Sequence, residues 1–204
     1  FPSYLAPAMT QLPELPLTLS RQEIRKMIRQ RRRALTPEQQ QEMGQQAATR
    51  MMTYPPVVMA HTVAVFLSFD GELDTQQLIE QLWRAGKRVY LPVLHPFSAG
   101  NLLFLNYHPQ SELVMNRLKI HEPKLDVRDV LPLSRLDVLI TPLVAFDEYG
   151  QRLGMGGGFY DRTLQNWQHY KMQPVGYAHD CQLVEKLPVE EWDIPLPAVV
   201  TPSK

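Results

Sequence analysis

The sequence predicts a three-layer α/β/α domain with a mainly parallel sheet, because β-rich apolar runs alternate along the chain with helical patterns. The clearest case is a βαβ unit, in which an apolar run at 62–67, a helical stretch at 74–86 and a second run at 88–91 follow one another. A buried strand at 136–141 precedes a glycine-rich loop and a further helical pattern. A chain of 204 residues favours one domain, which we expect to span residues 20–204.

The first elements are a proline-rich arm and two helices. Residues 1–19 carry four prolines and almost no charge, which favours an extended arm, and we assign it no function. Ser20 and Glu23 form a capping box that starts a helix, and Thr36-Pro37 starts a second helix that ends before Tyr54. One side of the first helix is apolar, and the neighbouring side is basic, with Arg21, Arg25, Arg29 and Arg32. We interpret residues 29–33 as a solvated basic face.

The later elements complete the sheet. Residues 102–105 predict a strand that follows the turn at 98–101 and pairs antiparallel with its neighbour. Residues 175–177 predict a short parallel strand. Ligands of parallel sheets bind at the carboxyl ends of the strands, where the loop at 69–72 is expected. The segment from 108 to 133 shows no clear pattern.

The glycine loop, residues 154–158, is the strongest functional motif. Four glycines in five positions let the backbone approach a ligand closely, and a strand, a glycine loop and a helix start in that order are typical of phosphate sites. The loop is neither a P-loop nor a dinucleotide motif, since no Gly-Lys-Ser/Thr follows and Phe159 occupies the last glycine position. A mobile linker is the alternative, but Arg152 and Tyr160-Asp161-Arg162 are unusual flanks for one. Asp161 lies off the apolar stripe of the following helix, which suggests a free carboxylate.

Composition excludes several classes of function. Basic and acidic residues balance at 21 each, so we expect no nucleic acid and no membrane partner. The lone cysteine, Cys181, excludes an internal disulfide, and the six histidines show no zinc spacing. We therefore expect a reducing compartment, the cytoplasm, and a monomer.

The motif Arg152-Leu153-Gly154-x-Gly156-x-Gly158-Phe159-Tyr160-Asp161-Arg162 resembles the signature of the 5-formyltetrahydrofolate cyclo-ligase family. The resemblance continues in Phe66-Leu67-Ser68 with Glu72, in Ile120-His121-Glu122-Pro123 and in Gly176-Tyr177-Ala178, and it covers nearly everything from 19 to 201. It implies a Rossmann-like architecture. It also implies the ATP- and Mg²⁺-dependent conversion of 5-formyltetrahydrofolate to 5,10-methenyltetrahydrofolate, with release of ADP and phosphate.

The resemblance also implies roles for individual residues. Arg152 and Tyr160 would be catalytic, and Asp161 with Asp193 would hold magnesium. Folate contacts would come from Leu67, Glu72, Met155, Gly156, Gly157, Gly158 and Phe159. The nucleotide would be bound by Arg21, Gln22, Glu23, Ile24, Arg25, Arg152, Leu153, Gly154, Met155, Gly156, Gly157, Gly158, Phe159 and Tyr160.

Several points stay open at the level of sequence. Some members of the family carry a lysine at the position of Gly157, so Arg152, Arg162 or Arg21 would have to supply the cation. The aromatic residue that stacks on the pterin is Phe69, Phe104, Tyr107 or Tyr160. Two other functions remain possible on this fold: a nucleotide-binding regulator without turnover, and nucleic-acid binding through residues 31–33.

Overall fold

A computed structural model describes residues 19–204, so the predicted proline-rich arm at 1–19 lies outside the described residues except for Leu19. The helices are α1 (Arg21–Arg33), α2 (Pro37–Thr53), α3 (Pro55–Met59), α4 (Gln76–Arg84) and α5 (Phe159–Leu164). The strands are β1 (Thr62–Ala64), β2 (Arg88–Leu94), β3 (Leu102–Tyr107), β4 (Leu113–Met115), β5 (His121–Pro123), β6 (Val130–Leu131), β7 (Val138–Thr141), β8 (Ala145–Phe146), β9 (Arg152–Leu153), β10 (Gln173–Tyr177) and β11 (Val199–Val200).

Seven strands form the central sheet in the order β11-β10-β7-β1-β2-β3-β6. The five strands from β11 to β2 are parallel, and β3 and β6 add an antiparallel edge. The predicted βαβ unit is confirmed, since Thr62 of β1 pairs with Arg88 of β2 in parallel register. The antiparallel strand predicted at 102–105 is also confirmed, and it extends to Tyr107. β4 with β5 and β8 with β9 form two separate hairpins.

Alternation along the strands sends apolar side chains to both faces of the sheet, which gives the three layers. Val63 and Val89 pack on one face against Ala47, Met51 and other residues of α2 and α4. Ala64, Tyr90 and Leu139 pack on the opposite face, which is covered by α5 and by loops. The predicted α/β/α class is thus confirmed, with one helical layer much thinner than the other.

Helix α1 belongs to a third cluster, away from the central sheet. Its capping box is formed as predicted, because Ser20 Oγ accepts from the Glu23 N–H and Glu23 Oε1 accepts from the Ser20 N–H. Ile24 and Ile28 are buried against Val144 and Leu153, near the β8–β9 hairpin. The helix is therefore held beside the glycine loop that follows β9.

Two elements are shorter than the sequence predicts. The strand predicted at 62–67 ends at Ala64, where the chain leaves the sheet. Beyond it the Thr75 hydroxyl hydrogen-bonds the backbone, donating to the Phe66 carbonyl and accepting from the Ser68 N–H. The helix predicted to reach Trp167 ends at Leu164, since Asn166 adopts a left-handed conformation with φ of 59°. Within residues 19–204, no helix is long and apolar enough to span a membrane.

Candidate active site

A cleft of about 700 Å³ opens at the carboxyl ends of the parallel strands. Three segments that are distant in sequence surround it: the start of α1, the loop that follows β1, and the glycine loop. The expected location of the 69–72 loop is therefore confirmed. Among the predicted site residues, the lining includes Arg21, Gln22, Arg25, Leu67, Glu72, Arg152, Gly154, Met155, Gly156, Gly157, Gly158, Phe159, Tyr160 and Asp161.

The glycine loop is fixed to helix α1 by Arg25. Nε of Arg25 donates to the Gly154 carbonyl at 2.7 Å, and the side chain is buried, with 7% of its surface exposed. Gly156 has a φ of 110°, and a Cβ there would lie 3.8 Å from the Arg25 guanidinium carbon. Burial and the neighbouring Arg21 lower the pKa of Arg25. The arginine is therefore part of the wall of the cleft, which corrects the interpretation of its side chain as part of an exposed cationic face.

Arg152 is buried between the strand ends and helix α5. Its Nε and Nη2 donate to the Pro142 carbonyl at 3.1 and 3.0 Å, and its Nη1 donates to Asp161 Oδ1 at 3.4 Å. The guanidinium lies 5.7 Å from the centroid of the Tyr160 ring. Burial raises the pKa of the Tyr160 phenol, so this group stays protonated at neutral pH.

Both carboxylates predicted to hold magnesium are paired with arginines. Asp161 is not the free carboxylate that the sequence suggests, because it accepts from Arg152 and from the Ile194 N–H at 3.3 Å. Asp193 forms a two-point contact with Arg21, at 2.7 and 3.2 Å. The bond to Ile194 brings the segment that carries Asp193 next to Asp161.

The donor set fits magnesium only with help from a ligand. Within residues 19–204, no group of three or more His, Cys, Asp or Glu side chains is placed to hold a metal ion. Mg²⁺ commonly binds one or two carboxylates together with substrate phosphates and waters. Asp161 and Asp193 match that pattern and leave the remaining ligands to a nucleotide.

Glu72 lines the cleft from the loop that follows β1. Its Oε1 accepts from the Phe69 N–H at 3.1 Å, which closes a tight turn. Burial raises the pKa of the Glu72 carboxyl to about 7, although the Phe69 N–H and the Arg32 charge oppose the shift. The carboxyl therefore changes its charge near physiological pH.

Some predicted residues lie away from the cleft. Side chains of Ile24 and Leu153 are in the apolar cluster beneath α1, and Glu23 caps the helix, so these three have structural side chains. Among the stacking candidates, Phe104 is buried in the core and Tyr107 packs against Trp83 with ring centroids 5.2 Å apart. Phe69 and Tyr160 line the cleft and remain candidates.

Of the three proposed substitutes for a loop lysine, Arg162 is nearest to Gly157. Its Nη2 donates to the Gly157 carbonyl, and its Nε donates to the Gly100 carbonyl. Arg152 and Arg21 are engaged with Asp161 and Asp193 instead. Arg162 therefore places a positive charge on the loop where a lysine at 157 would begin.

Two acidic residues near the cleft were missed by sequence reasoning. Glu122 lines the cleft and accepts from the Leu94 N–H and from Asn116 Nδ2, both at 3.0 Å. The match of Ile120-His121-Glu122-Pro123 to the family was a usable signal for Glu122, but no role was assigned to it. Asp70 is bonded to Arg33 at 2.6 Å and lies 3.3 Å from Arg29. Nothing in the sequence alone pairs these positions.

The comparisons with known proteins agree with this geometry. Residues 18–202 match the sequence profile of the 5-formyltetrahydrofolate cyclo-ligase family. The chain is 99% identical over 178 residues to the 5-formyltetrahydrofolate cyclo-ligase of Escherichia coli K12, which covers 87% of this chain and 98% of that one. The enzyme of the same name from Haemophilus influenzae is 53% identical over 179 residues, covering 88% and 96%. The structure is similar to that of Aquifex aeolicus 5,10-methenyltetrahydrofolate synthetase, with a TM-score of 0.77, 27% identity and 91% of each chain covered.

Proposed function

This chain belongs to the 5-formyltetrahydrofolate cyclo-ligase family, and from that premise we propose the reaction that its cleft carries out. The enzyme converts 5-formyltetrahydrofolate to 5,10-methenyltetrahydrofolate, and ATP hydrolysis to ADP and phosphate drives the ring closure. One observation carries the proposal: the Glu72 loop and the glycine loop, more than 80 positions apart in the chain, line a single cleft of about 700 Å³. A cleft of that volume is within the range of small-molecule sites.

The nucleotide is assigned to the glycine-loop side of the cleft. Backbone N–H groups of an open glycine loop bind phosphate oxygens, and Arg25 and Arg21 supply positive charge from the facing helix. Arg25 is already held by the Gly154 carbonyl, so its guanidinium needs little reorganisation to meet a phosphate. When magnesium is bound, Asp161 and Asp193 would hold it, and it would neutralise charge on the phosphates.

The folate is assigned to the side formed by Leu67, Glu72 and an aromatic residue. A tetrahydropterin presents adjacent N–H donors on its pyrimidine ring, and an ionised carboxylate is an acceptor-only group that suits them. Leu67 offers an apolar contact, and Phe69 or Tyr160 offers a ring for stacking. The formyl group is then directed toward the glycine loop.

The chemistry needs no nucleophile from the protein. The formyl oxygen forms a bond to the γ-phosphorus as the bond to ADP breaks. N10 of the folate then attacks the activated carbon, loses its proton, and inorganic phosphate leaves. Phosphoryl transfer of this kind depends mainly on alignment and on stabilisation of charge.

The roles left to the protein fall to Arg152 and Tyr160. Arg152 is fixed by Pro142 and Asp161, so its charge is preorganised beside the reacting groups. Tyr160 acts as a neutral donor, because burial keeps its phenol protonated. Cys181 is not required, and burial raises the pKa of its thiol, which disfavours the nucleophilic thiolate.

The test is direct observation of the product. Purified protein is mixed with 5-formyltetrahydrofolate, ATP and magnesium, and the absorbance of the methenyl product is followed. Product must form only when all three are present, and ADP must accumulate in equal amount. Nucleotide binding without product would instead support a regulator that does not turn over.

Two further proposals concern assembly and location. We propose that the enzyme acts as a monomer. The single cysteine is in keeping with a reducing cytoplasm. Light scattering of the purified protein at several concentrations tests the first proposal, and fractionation of cells that express the natural protein tests the second.

A further inference from the structure

Helix α1 supports the Glu72 loop as well as the nucleotide side of the cleft. The Asp70 carboxylate, two residues before Glu72, lies near three arginines at the end of this helix. The nitrogen–oxygen distances are 3.3 Å to Arg29, 3.8 Å to Arg32 and 2.6 Å to Arg33. Two of these arginines are at least partly exposed, whereas Arg32 is 3% exposed. The sequence assigned the whole segment to a solvated face, so the burial of Arg32 is a correction that requires an explanation.

The burial of Arg32 is not explained by its bonds to Asp70. Its Nη2 lies 3.8 Å from the Asp70 carboxylate, too far for a hydrogen bond, and its Nε and Nη1 are buried without a partner among the described residues. An unpaired buried guanidinium is costly unless its charge interacts with another group. Placing Arg32 there for stability alone would be a poor arrangement, since exposed arginines already hold Asp70.

Arg32 packs behind the turn that carries Glu72. Gly71 packs directly on the Arg32 side chain, because a Cβ on Gly71 would lie 3.1 Å from the Arg32 Cβ. Among the charged groups around Arg32, Glu72 raises the pKa of Arg32 most. The Arg32 charge in turn lowers the pKa of Glu72. Gln40 strengthens the contact, since its Nε2 donates to the Gly71 carbonyl at 3.2 Å.

His179 completes this polar cluster behind the loop. Its ring is fully buried, and neither ring nitrogen has a hydrogen-bond partner among residues 19–204. The backbone of Gly71 and Glu72 lies beside the ring, and burial together with the Arg32 charge lowers the pKa of His179 to about 4. The imidazole is therefore neutral at pH 7 and adds no charge that would compete with Arg32.

We propose that Arg32 is a positioning residue for folate binding, which backs the Gly71-Glu72 turn and keeps the Glu72 carboxylate ionised for the pterin. The proposal rests on the proposed function, in which Glu72 contacts the folate. Arg32 does not line the cleft, so it acts through Glu72. It gives a role to a buried charge that the reaction itself does not use.

Other charged groups near Glu72 must be considered in a test based on pH. Asp70 is on the same loop and raises the pKa of Glu72, in opposition to Arg32. His179 is behind the loop and titrates well below neutrality. The remaining charged or titratable groups that line the cleft are Arg21, Arg25, Arg29, His121, Glu122, Arg152, Tyr160 and Asp161. Because these are the same in every variant, differences in pH midpoint between variants report on the Arg32-Asp70-Glu72 cluster.

The test measures KM for 5-formyltetrahydrofolate and for ATP across a pH series in five proteins. In the wild-type enzyme, the folate KM should rise as the pH falls through about 7, where Glu72 gains a proton. In Arg32→Gln the midpoint should move up by about 1 to 2 pH units, which raises the folate KM by about 10- to 100-fold at pH values below both midpoints. The ATP KM should change by less than about threefold.

Two variants provide the controls. Asp70→Asn removes the opposing charge, and asparagine tolerates the left-handed φ of 53° at this position, so the midpoint should move down instead of up. Arg33→Gln removes an exposed partner of Asp70 and should leave the midpoint unchanged. Arg32→Lys restores the charge and should recover most of the Arg32→Gln shift.

The outcomes separate the possible explanations. A folate KM that rises equally at every pH in Arg32→Gln, or an ATP KM that rises as much, would make Arg32 purely structural and overturn the proposal. If Arg32→Gln does not fold, Asp70→Asn decides, and an unchanged midpoint in that variant refutes the electrostatic coupling. Failure of the wild-type chain to form methenyl product would count against the proposed function instead.

Discussion

Replacing Arg25 with methionine removes the charged contact between helix α1 and the glycine loop but keeps a long side chain. Nε of Arg25 donates to the Gly154 carbonyl at 2.7 Å from a buried position. A hydrogen bond from a charged guanidinium to a phosphate contributes about 1.5–3 kcal/mol, and the variant could not donate it to the nucleotide. Since 1.4 kcal/mol is a factor of ten in binding, ATP affinity should fall by about 10- to 150-fold. Folate affinity should change by less than about threefold, because Glu72 and Leu67 are untouched.

Calorimetric titration with a non-hydrolysable ATP analogue measures the nucleotide affinity, and thermal melts follow the fold. Because Arg25 is buried, a modest fall in melting temperature is expected as well. Arg31→Met is the matched control, since Arg31 is on the same helix, bonds to Met27 Sδ and does not line the cleft. The reasoning fails if Arg25→Met binds the analogue normally, or if Arg31→Met loses as much affinity.

Three further predictions follow from the site. Glu72→Gln should raise the folate KM and leave the ATP KM nearly normal. The variant should also make the free energy of unfolding depend less on pH. A carboxyl whose pKa rises from 4.5 to about 7 on folding makes the native state less stable as the pH rises through that window. Thermal melts at pH 5 and pH 8 measure this effect, and a variant that is less stable than wild type at pH 8 contradicts it. Asp161→Asn and Asp193→Asn should each raise the magnesium concentration needed for turnover. The double variant should lose much less transition-state stabilisation than the sum of the two single losses. Additive losses at every magnesium concentration exclude a shared ion. In Gly157→Lys the Phe159 ring must move, since a Cβ at position 157 would lie 2.7 Å from that ring. We expect a changed folate KM and an unchanged melting temperature. If the folate KM and the melting temperature both keep their wild-type values, the ring is not part of the folate site.

The fold could be predicted from sequence because its signals are local. Capping boxes at Ser20 and Thr36 and the apolar run from Thr62 define elements without knowledge of their partners. Their ends were less predictable, as at Ala64, where the strand stops because Thr75 offers side-chain hydrogen bonds to the departing backbone. These hydrogen bonds join residues seven and nine positions apart and have no periodic signature.

The site was predictable in its motif and less so in its charges. Helical spacing places Arg25, Arg29 and Arg32 on one side, but it cannot tell which of them other segments will cover. Arg25 is buried by the glycine loop and Arg32 by the Asp70 turn, both of which are distant in sequence. Pairing of Asp161 with Arg152 is similarly a product of tertiary structure, and it makes the carboxylate less available than its place on the helix suggests.

Helix α1 also makes the chain a candidate for a ligand-dependent split protein. The helix contributes no strand, so a cut near residues 34–36 would leave the whole central sheet on the larger fragment. Helix α1 contacts both the glycine loop at Gly154 and the turn at Asp70, so reassembly would rebuild two parts of the cleft lining at once. Nucleotide and folate bind only the rebuilt cleft, and each would therefore drive the fragments together by mass action. A reporter attached to the two fragments would therefore respond to both metabolites, and most strongly when both are present.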